Sequence, residues 1–207
     1  MTRKSTVFIV DDDVAVRDSL ASLLKAGGLC VQCYPSAEDF LAAYHASSPG
    51  CLLLDVAMPG MSGPALADVL SQRGIGLPII FLTGYGDVRT SVEAMKRGAL
   101  DFLEKPVDGA SLVLRVKEAV LRDQEQRAAD LAVAEARRRL CHLTPREQEV
   151  MMLALAGLSS KAIARSLGIS HRTAELHRAR AMKKLAAASL LDVASTVTAA
   201  GLTGPVA

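Results

Sequence analysis

Five short apolar runs alternate with segments of helical period, and four of the runs end on polar residues, a pattern that few folds accommodate. Asp11, Asp12 and Asp13 follow VFIV, Asp55 follows CLLL, Thr83 follows IIFL, and Lys105 follows DFLE. After Val7–Val10 come Val16, Leu20, Leu23 and Leu24, an i, i+4, i+7, i+8 stripe with Gly27-Gly28 as its stop. CVQCY precedes a helix opened by Ser36, and CLLLD one entered at Gly63-Pro64 with Leu66, Val69 and Leu70. PIIFL precedes one opened by Asp87 with Val88, Val92 and Met95, and LDFLE one capped by Asp108. Strands that alternate with helices pair in parallel through right-handed crossovers, which predicts a three-layer α/β domain on a doubly wound five-stranded parallel sheet. CLLL and PIIF have no polar face, as suits strands buried on both sides in the middle of such a sheet. The polar run-ends then gather at the carboxyl edge of the sheet, where doubly wound folds build their sites.

At 207 residues the chain exceeds a modal single domain of roughly 100–150 residues, so a second, smaller domain is expected. Hydrophobic residues at 50% and charged residues at 22% exclude a disordered or collagen-like chain. No apolar run approaches the roughly 20 residues that cross a bilayer. The triple aspartate also falls where a signal peptide needs its apolar stretch, so the reading is a soluble cytoplasmic protein without a membrane partner. Four cysteines in a chain of this size point to reduced thiols. Cys30 and Cys33 form C-x-x-C on a predicted strand, where positions three apart face opposite sides, so packing is favoured over zinc or redox chemistry.

Charge separates the two halves. Residues 1–136 carry 13 Lys+Arg against 18 Asp+Glu, net −5, whereas residues 137–185 carry 11 against 3, net +8. An acidic domain joined to a basic one suggests that the second meets a polyanion, most often nucleic acid. Between them, residues 122–140 are rich in Ala, Glu, Gln and Arg and free of Gly and Pro, which reads as a helical linker able to pair with a second copy. Leu114, Leu121 and Leu131 do not sustain a heptad long enough for a coiled coil. The boundaries read as 1–121, 122–140 and 141–207.

The last segment is a small all-α domain of short, punctuated helices. Thr144-Pro145-Arg146-Glu147 supplies an N-cap, a proline at the first helical position and a capping-box glutamate, and Gly157 ends that helix. A second helix runs from about Ser160 to Leu167, Gly168-Ile169 turns the chain, Ser170 caps a third to about Leu185, and Ser189 opens a fourth. Two helices joined by a tight glycine turn within a basic region form a helix-turn-helix.

Asp13 reads as the N-cap of the first helix. Asp11 and Asp12 are different, because adjacent carboxylates repel unless a cation or solvent relieves them, and Mg²⁺ is the natural hard partner. The loop Asp55-Val-Ala-Met-Pro-Gly-Met-Ser-Gly resembles the phosphoacceptor loop of response-regulator receiver domains, which have the flavodoxin-like form of the doubly wound fold. VFIVDDD resembles that family's acidic pair, FLTGYGD its hydroxyl and DFLEKPV its lysine and proline. The resemblance implies that Asp55 accepts a phosphoryl group from the phosphohistidine of a sensor histidine kinase. It implies that Asp11, Asp12 and Asp55 hold Mg²⁺, that Thr83 and Lys105 stabilise the phosphoryl oxygens, and that the Lys105-Pro106 bond is cis. Thr83 and Phe102 would form the conformational switch, although Phe102 reads equally as a buried strand aromatic. Val92, Lys96 and Asp101 are the candidates for a phosphorylation-induced homodimer face.

The stretch from LTPREQEV to MKKL resembles the LuxR-type helix-turn-helix, so the whole chain resembles FixJ-like response regulators. In projection Ala174, His177, Ala181 and Leu185 share one side of the third helix, and Arg172, Glu175, Leu176, Ala179 and Lys183 another. The second side would face double-stranded DNA, with Glu175, Leu176 and Ala179 nearest the bases and Lys161, Arg172, Arg178 and Lys183 on phosphates. RNA polymerase is the further partner that a promoter-bound regulator admits. His171 and His177 read as structural rather than as metal ligands. The chain departs from the family pattern at Ala57, where a basic residue is common, and at Ala174, where a larger aliphatic is usual; the first bears on kinase docking or dephosphorylation, the second on packing of the recognition helix.

The leading expectation is a phosphorylation-dependent, dimeric DNA-binding regulator and not an enzyme in its own right. The competing readings are a phosphorylation-independent regulator with a vestigial receiver, and an aspartate-nucleophile phosphatase. The phosphatase would need an acid/base aspartate two residues after the nucleophile, where this chain has Ala57.

Overall fold

Strands β1 (Thr6–Val10), β2 (Cys30–Tyr34), β3 (Gly50–Asp55), β4 (Ile79–Thr83) and β5 (Asp101–Glu104) form one parallel sheet in the order β2-β1-β3-β4-β5. The computed structural model describes residues 4–45, 48–84 and 101–202. Each predicted run is a strand, and the doubly wound parallel sheet is the architecture found. From β1 the chain winds to β2 on one side and then to β3 on the other, which leaves a crevice beyond the carboxyl ends of β1 and β3. The helix expected from Asp87, with Val88, Val92 and Met95, lies outside the described residues.

The helices follow from local chemistry. Helix α1 (Val14–Ala26) begins at Asp13, whose carboxylate accepts from the backbone N–H of Ala15 and Val16 and satisfies two orphan donors. Ser36 caps α2 (Ala37–Ala43) in the same way. Helix α3 (Gly63–Gln72) is capped by Ser62, with Pro64 in its first turn. Alternation along the strands divides the core between the two faces. Phe8, Val10, Leu52, Leu54 and Phe81 meet Phe40 of α2 and Leu66 and Leu70 of α3. Val7, Ile9, Leu53, Ile80 and Leu82 meet Leu20 and Leu24 of α1 and Leu112 and Val116 of the next helix. Strand β3 is buried at every position, so burial of its three leucines alone contributes on the order of 5–9 kcal/mol to fixing it.

That next helix, α4 (Gly109–Cys141), has 33 residues, and the stretch 122–140 lies inside it. The chain divides into two compact units within α4, Met1–Arg127 and Ala128–Ala207. In the second unit, helices α5 (Pro145–Leu155), α6 (Ser160–Leu167), α7 (His171–Leu185) and α8 (Leu190–Ala199) follow the expected punctuation, including the Thr144–Glu147 capping box and a left-handed Gly168 between α6 and α7. Val150 and Ala154 of α5 pack on Ile163, Ala164 and Ala174. Met151 packs on Leu143, Ala181, Leu185, Val193 and Val197. No helix among the described residues is long and apolar enough to cross a membrane.

The cysteines correct one expectation. Cys30 is half-buried, but Cys33 is exposed rather than packed, because β2 is an edge strand with a partly uncovered face. All four thiols are free, and burial pushes the Cys51 thiol up to about 12.

One polar contact deep in the first unit anchors the amino end of β3. Asp123 of α4 is 3% exposed and accepts from Gly50 N–H at 2.8 Å and from Arg127 Nε at 2.7 Å, while Arg127 Nη2 donates to Ser48 O at 3.2 Å. Only glycine fits at position 50, since a Cβ there would lie 1.8 Å from Thr6 O. Asp123→Ala leaves a buried N–H without an acceptor and Arg127 without its carboxylate. Urea denaturation followed by far-UV circular dichroism is expected to lose about 1–3 kcal/mol in the transition of the first unit.

Candidate functional site

Strand register carries the polar run-ends to one place. Val10 lies beside Leu54, so Asp11 and Asp55 follow in step, and Thr83 lies beside Glu104, one residue before Lys105. The ladder continues past the strands through Val56 N–H to Leu82 O at 3.0 Å and Lys105 N–H to Thr83 O at 2.7 Å. Lys105 Nζ then reaches both central carboxylates, Asp11 Oδ2 at 2.6 Å and Asp55 Oδ1 at 2.5 Å. Asp11 is 1% exposed and Asp55 6%. The Lys105-Pro106 bond is cis.

The other atoms of the two carboxylates are held by backbone. Asp11 Oδ1 accepts from Asp13 N–H and Asp55 Oδ2 from Ala57 N–H, each at 2.9 Å. Thr83 is buried, and its hydroxyl donates to Gly84 O at 3.1 Å. Phe102 is half-buried against Phe81, with ring centroids 6.2 Å apart. Asp12 is exposed.

Asp11, Asp12 and Asp55 are therefore not gathered as a three-carboxylate metal cluster, and among the described residues no such cluster of His, Cys, Asp or Glu occurs. Asp12 is exposed while the Lys105 ammonium joins the two buried carboxylates, Asp11 and Asp55. Two carboxylates still share one cation, and with Asp12 they present only hard oxygen donors, a set whose chemistry fits Mg²⁺.

In the second unit, Ala174, Ala181 and Leu185 of α7 are buried and His177 half-buried, while Arg172, Glu175, Leu176, Ala179 and Lys183 are exposed. Lys161 on α6 is exposed and Arg178 half-buried. The two sides of α7 separate as the projection predicts. Ala174 is 1% exposed among Val150, Ala154, Ile163 and Ala164, so the small residue is enclosed. His171 lies 3.7 Å from Glu175 across one helical turn.

A receiver-domain family model, "Response regulator receiver domain", matches residues 7–117, and "Bacterial regulatory proteins, luxR family" matches residues 142–197. The transcriptional regulatory protein FixJ of Azorhizobium caulinodans is 44% identical over 202 residues, 98% of this chain and 96% of that one. The chain belongs to the FixJ-like response regulators. FixJ of Bradyrhizobium diazoefficiens is 40% identical, with 98% of each chain covered. Among solved structures, the response regulator StyR matches with a TM-score of 0.90 at 39% identity, over 94% of this chain and 98% of that one. The response regulator thus joins a receiver to a LuxR-type helix-turn-helix and is a DNA-binding transcription regulator of the two-component class.

Several residues that shape the receiver site leave no local sequence signal. Arg17 Nη1 donates to Asp11 O at 2.7 Å and Glu38 Oε1 accepts from Met61 N–H at 3.2 Å, which ties the loops after β1 and β3 to α1 and α2. Gly63 lets α3 approach the strand end, since a Cβ there would lie 2.2 Å from Asp55 O. Of the proposed dimer face, Val92 and Lys96 lie outside the described residues. Asp101 pairs with Arg115 at 3.3 Å.

The electrostatics follow from this crowding. Burial pushes the Asp55 carboxyl above its ordinary value, the Lys105 ammonium opposes that rise and Asp11 adds to it. Burial alone would lower the Lys105 pKa, but its bonds to Asp11 and Asp55 outweigh burial and raise it. A raised lysine pKa means that its pairing is fully present below the unfolded value and lost only as alkaline pH passes through the folded one. A raised carboxyl pKa means the reverse: charged Asp55 costs stability at neutral pH, and the cost is relieved on acidification. Lys105→Met removes the cation and keeps the stem. In metal-free buffer at pH 7 the variant is expected to be less stable by about 1–3 kcal/mol, below the value for a fully buried pair because the site is partly open. The deficit should shrink on acidification as Asp55 takes up a proton, which denaturation curves paired across pH would measure.

Proposed function

We propose that this response regulator is switched by phosphorylation of Asp55 and then binds promoter DNA as a dimer. The observation that carries the reading is the Lys105 ammonium bridging Asp11 and Asp55 at the crevice between β1 and β3. An Asp55 oxygen attacks phosphorus, the bond from phosphorus to the imidazole nitrogen of the sensor kinase's phosphohistidine breaks, and the imidazole leaves. Asp11, Asp12 and Asp55 would hold Mg²⁺, whose bound charge would offset that of the phosphoryl oxygens. Lys105 exchanges its Asp55 oxygen for a phosphoryl oxygen, and the Thr83 hydroxyl leaves Gly84 O to donate to another. Phosphorylation adds a charge of about −2 and three strong acceptors, enough to draw both groups inward. Phe102, packed on Phe81, fills the space that Thr83 vacates.

The output follows from the second unit. Glu175, Leu176 and Ala179 reach base edges in the major groove while Lys161, Arg172, Arg178 and Lys183 hold phosphates. Receiver association through the surface of Val92, Lys96 and Asp101 raises the effective concentration of the second recognition helix. The protein acts on cytoplasmic DNA, with RNA polymerase as its neighbour at the promoter. Ala57 lacks any acid/base group, so the aspartate-phosphatase reading gains no support.

Asp55→Asn is expected to abolish labelling by acetyl phosphate and the gain in DNA binding that accompanies it. An unchanged gain on electrophoretic mobility shift would overturn the mechanism. For the DNA face, Arg172→Ala and Lys183→Ala should each lower the magnitude of the slope of log affinity against log salt by about 1, read by fluorescence anisotropy across a salt series.

A further inference from the structure

The first turn of α5 holds the carboxyl ends of both helices of the helix-turn-helix, through two consecutive residues. Arg146 Nη2 donates to Leu167 O, the last residue of α6, at 2.5 Å, while its Nη1 pairs with Glu149 at 2.6 Å. Glu147 Oε2 accepts from Lys184 Nζ, in the last turn of α7, at 2.6 Å and from Thr144 N–H at 2.8 Å. Glu147 is 3% exposed, and the Lys184 hydrogen bond holds its carboxyl below the ordinary value against the effect of burial. The turn that carries both residues is itself fixed by the capping box.

We infer that Arg146, Glu147 and Lys184 are positioning residues for DNA recognition, and that the Lys184 ammonium is committed to Glu147 and not to a DNA phosphate. This rests on the reading of α7 as the recognition helix. The 15 residues of α7 span about 22 Å, so a tilt of roughly 5° about the Lys184 end moves its amino-terminal half by as much as about 2 Å. Such a shift exceeds what a hydrogen bond of about 2.7–3.2 Å tolerates. Contacts to base edges are short and directional and suffer first, whereas contacts to phosphates through long basic side chains adapt. Lys183 and Lys184 are adjacent in sequence, yet the brace gives them opposite roles.

The test uses the full chain, a duplex that the unsubstituted protein selects from a randomised pool, and an unrelated duplex of equal length. Lys184→Met and Glu147→Gln are expected to weaken binding to the selected duplex about tenfold, the size of one lost base contact, with the unrelated duplex and the salt slope unchanged. Lys184→Arg should keep most of the discrimination. Lys183→Met, in contrast, should weaken both duplexes alike and lower the slope by about 1. Two results overturn the inference: a fall in salt slope for Lys184→Met equal to that for Lys183→Met, or an unchanged ratio between the duplexes for Lys184→Met and Glu147→Gln when circular dichroism shows them folded. If Lys184→Met fails to fold, the ratio is read on Glu147→Gln and on the Glu147→Gln/Lys184→Met pair, which leaves no buried carboxylate unpaired. Weakened binding by Arg172→Ala and Lys183→Met identifies the DNA-facing side independently, so an unchanged ratio for Lys184→Met then overturns positioning alone.

Discussion

The receiver depends on one ammonium group held between two buried carboxylates. Two like charges at adjacent strand ends are held in place only because the sheet beneath them cannot relax. Strands β1 and β3 are packed on both faces, and shifting either to separate Asp11 from Asp55 would expose Phe8, Ile9, Leu52 and Leu53 together. The apolar core thus confines the charges, and Lys105 makes the confinement tolerable. It does so incompletely, since burial still raises the Asp55 carboxyl even with the ammonium beside it. The site is left with more negative than positive charge, two carboxylates to one ammonium.

The second unit also buries a charge, with a different balance. Glu147 meets one lysine and one backbone N–H, so a single carboxylate is matched by a single ammonium and its remaining demand is met by a cap. Such a pair gains nothing by exchanging partners. The cluster of Asp11, Asp55 and Lys105 has two carboxylates to one ammonium, and among the described residues the Thr83 hydroxyl donates to the neighbouring Gly84 carbonyl. The contrast separates a group of charges suited to change from one suited to hold a helix still.

The same contrast marks what was legible in the sequence. Strand ends, caps and apolar stripes are local patterns with periods of 2 or 3.6, and these placed Asp11, Asp55, Thr83 and Lys105 on one edge and Asp13, Ser36 and Ser170 at helix starts. The two sides of α7 were legible for the same reason. The Asp123 bond to Gly50 spans 73 positions, that of Lys184 to Glu147 spans 37 and that of Arg146 to Leu167 spans 21, and no periodicity encodes such a pairing. Helix α4 exposes a subtler failure: composition changes near Arg122, yet the helix runs unbroken from Gly109 because nothing in that change breaks a helix. Cys33 was misread because alternation tells which residues share a face and not whether that face of an edge strand is covered.

Fold and site are coupled most closely in β3. Its amino end is fixed by Gly50 N–H on Asp123, and its carboxyl end carries Asp55, five residues on. Between them every residue is buried, so the strand has no freedom to slide, and a one-residue slip would exchange the two core faces outright. Gly63 has no Cβ to clash with the Asp55 carbonyl, so α3 starts close against the strand end, where Gly63 N–H donates to Val56 O at 3.1 Å. A carboxylate held this firmly cannot retreat from charge added beside it. Under the phosphorylation proposed for Asp55, the response would fall on Lys105 and Thr83, which follow β5 and end β4, on the side of the sheet away from the edge strand β2.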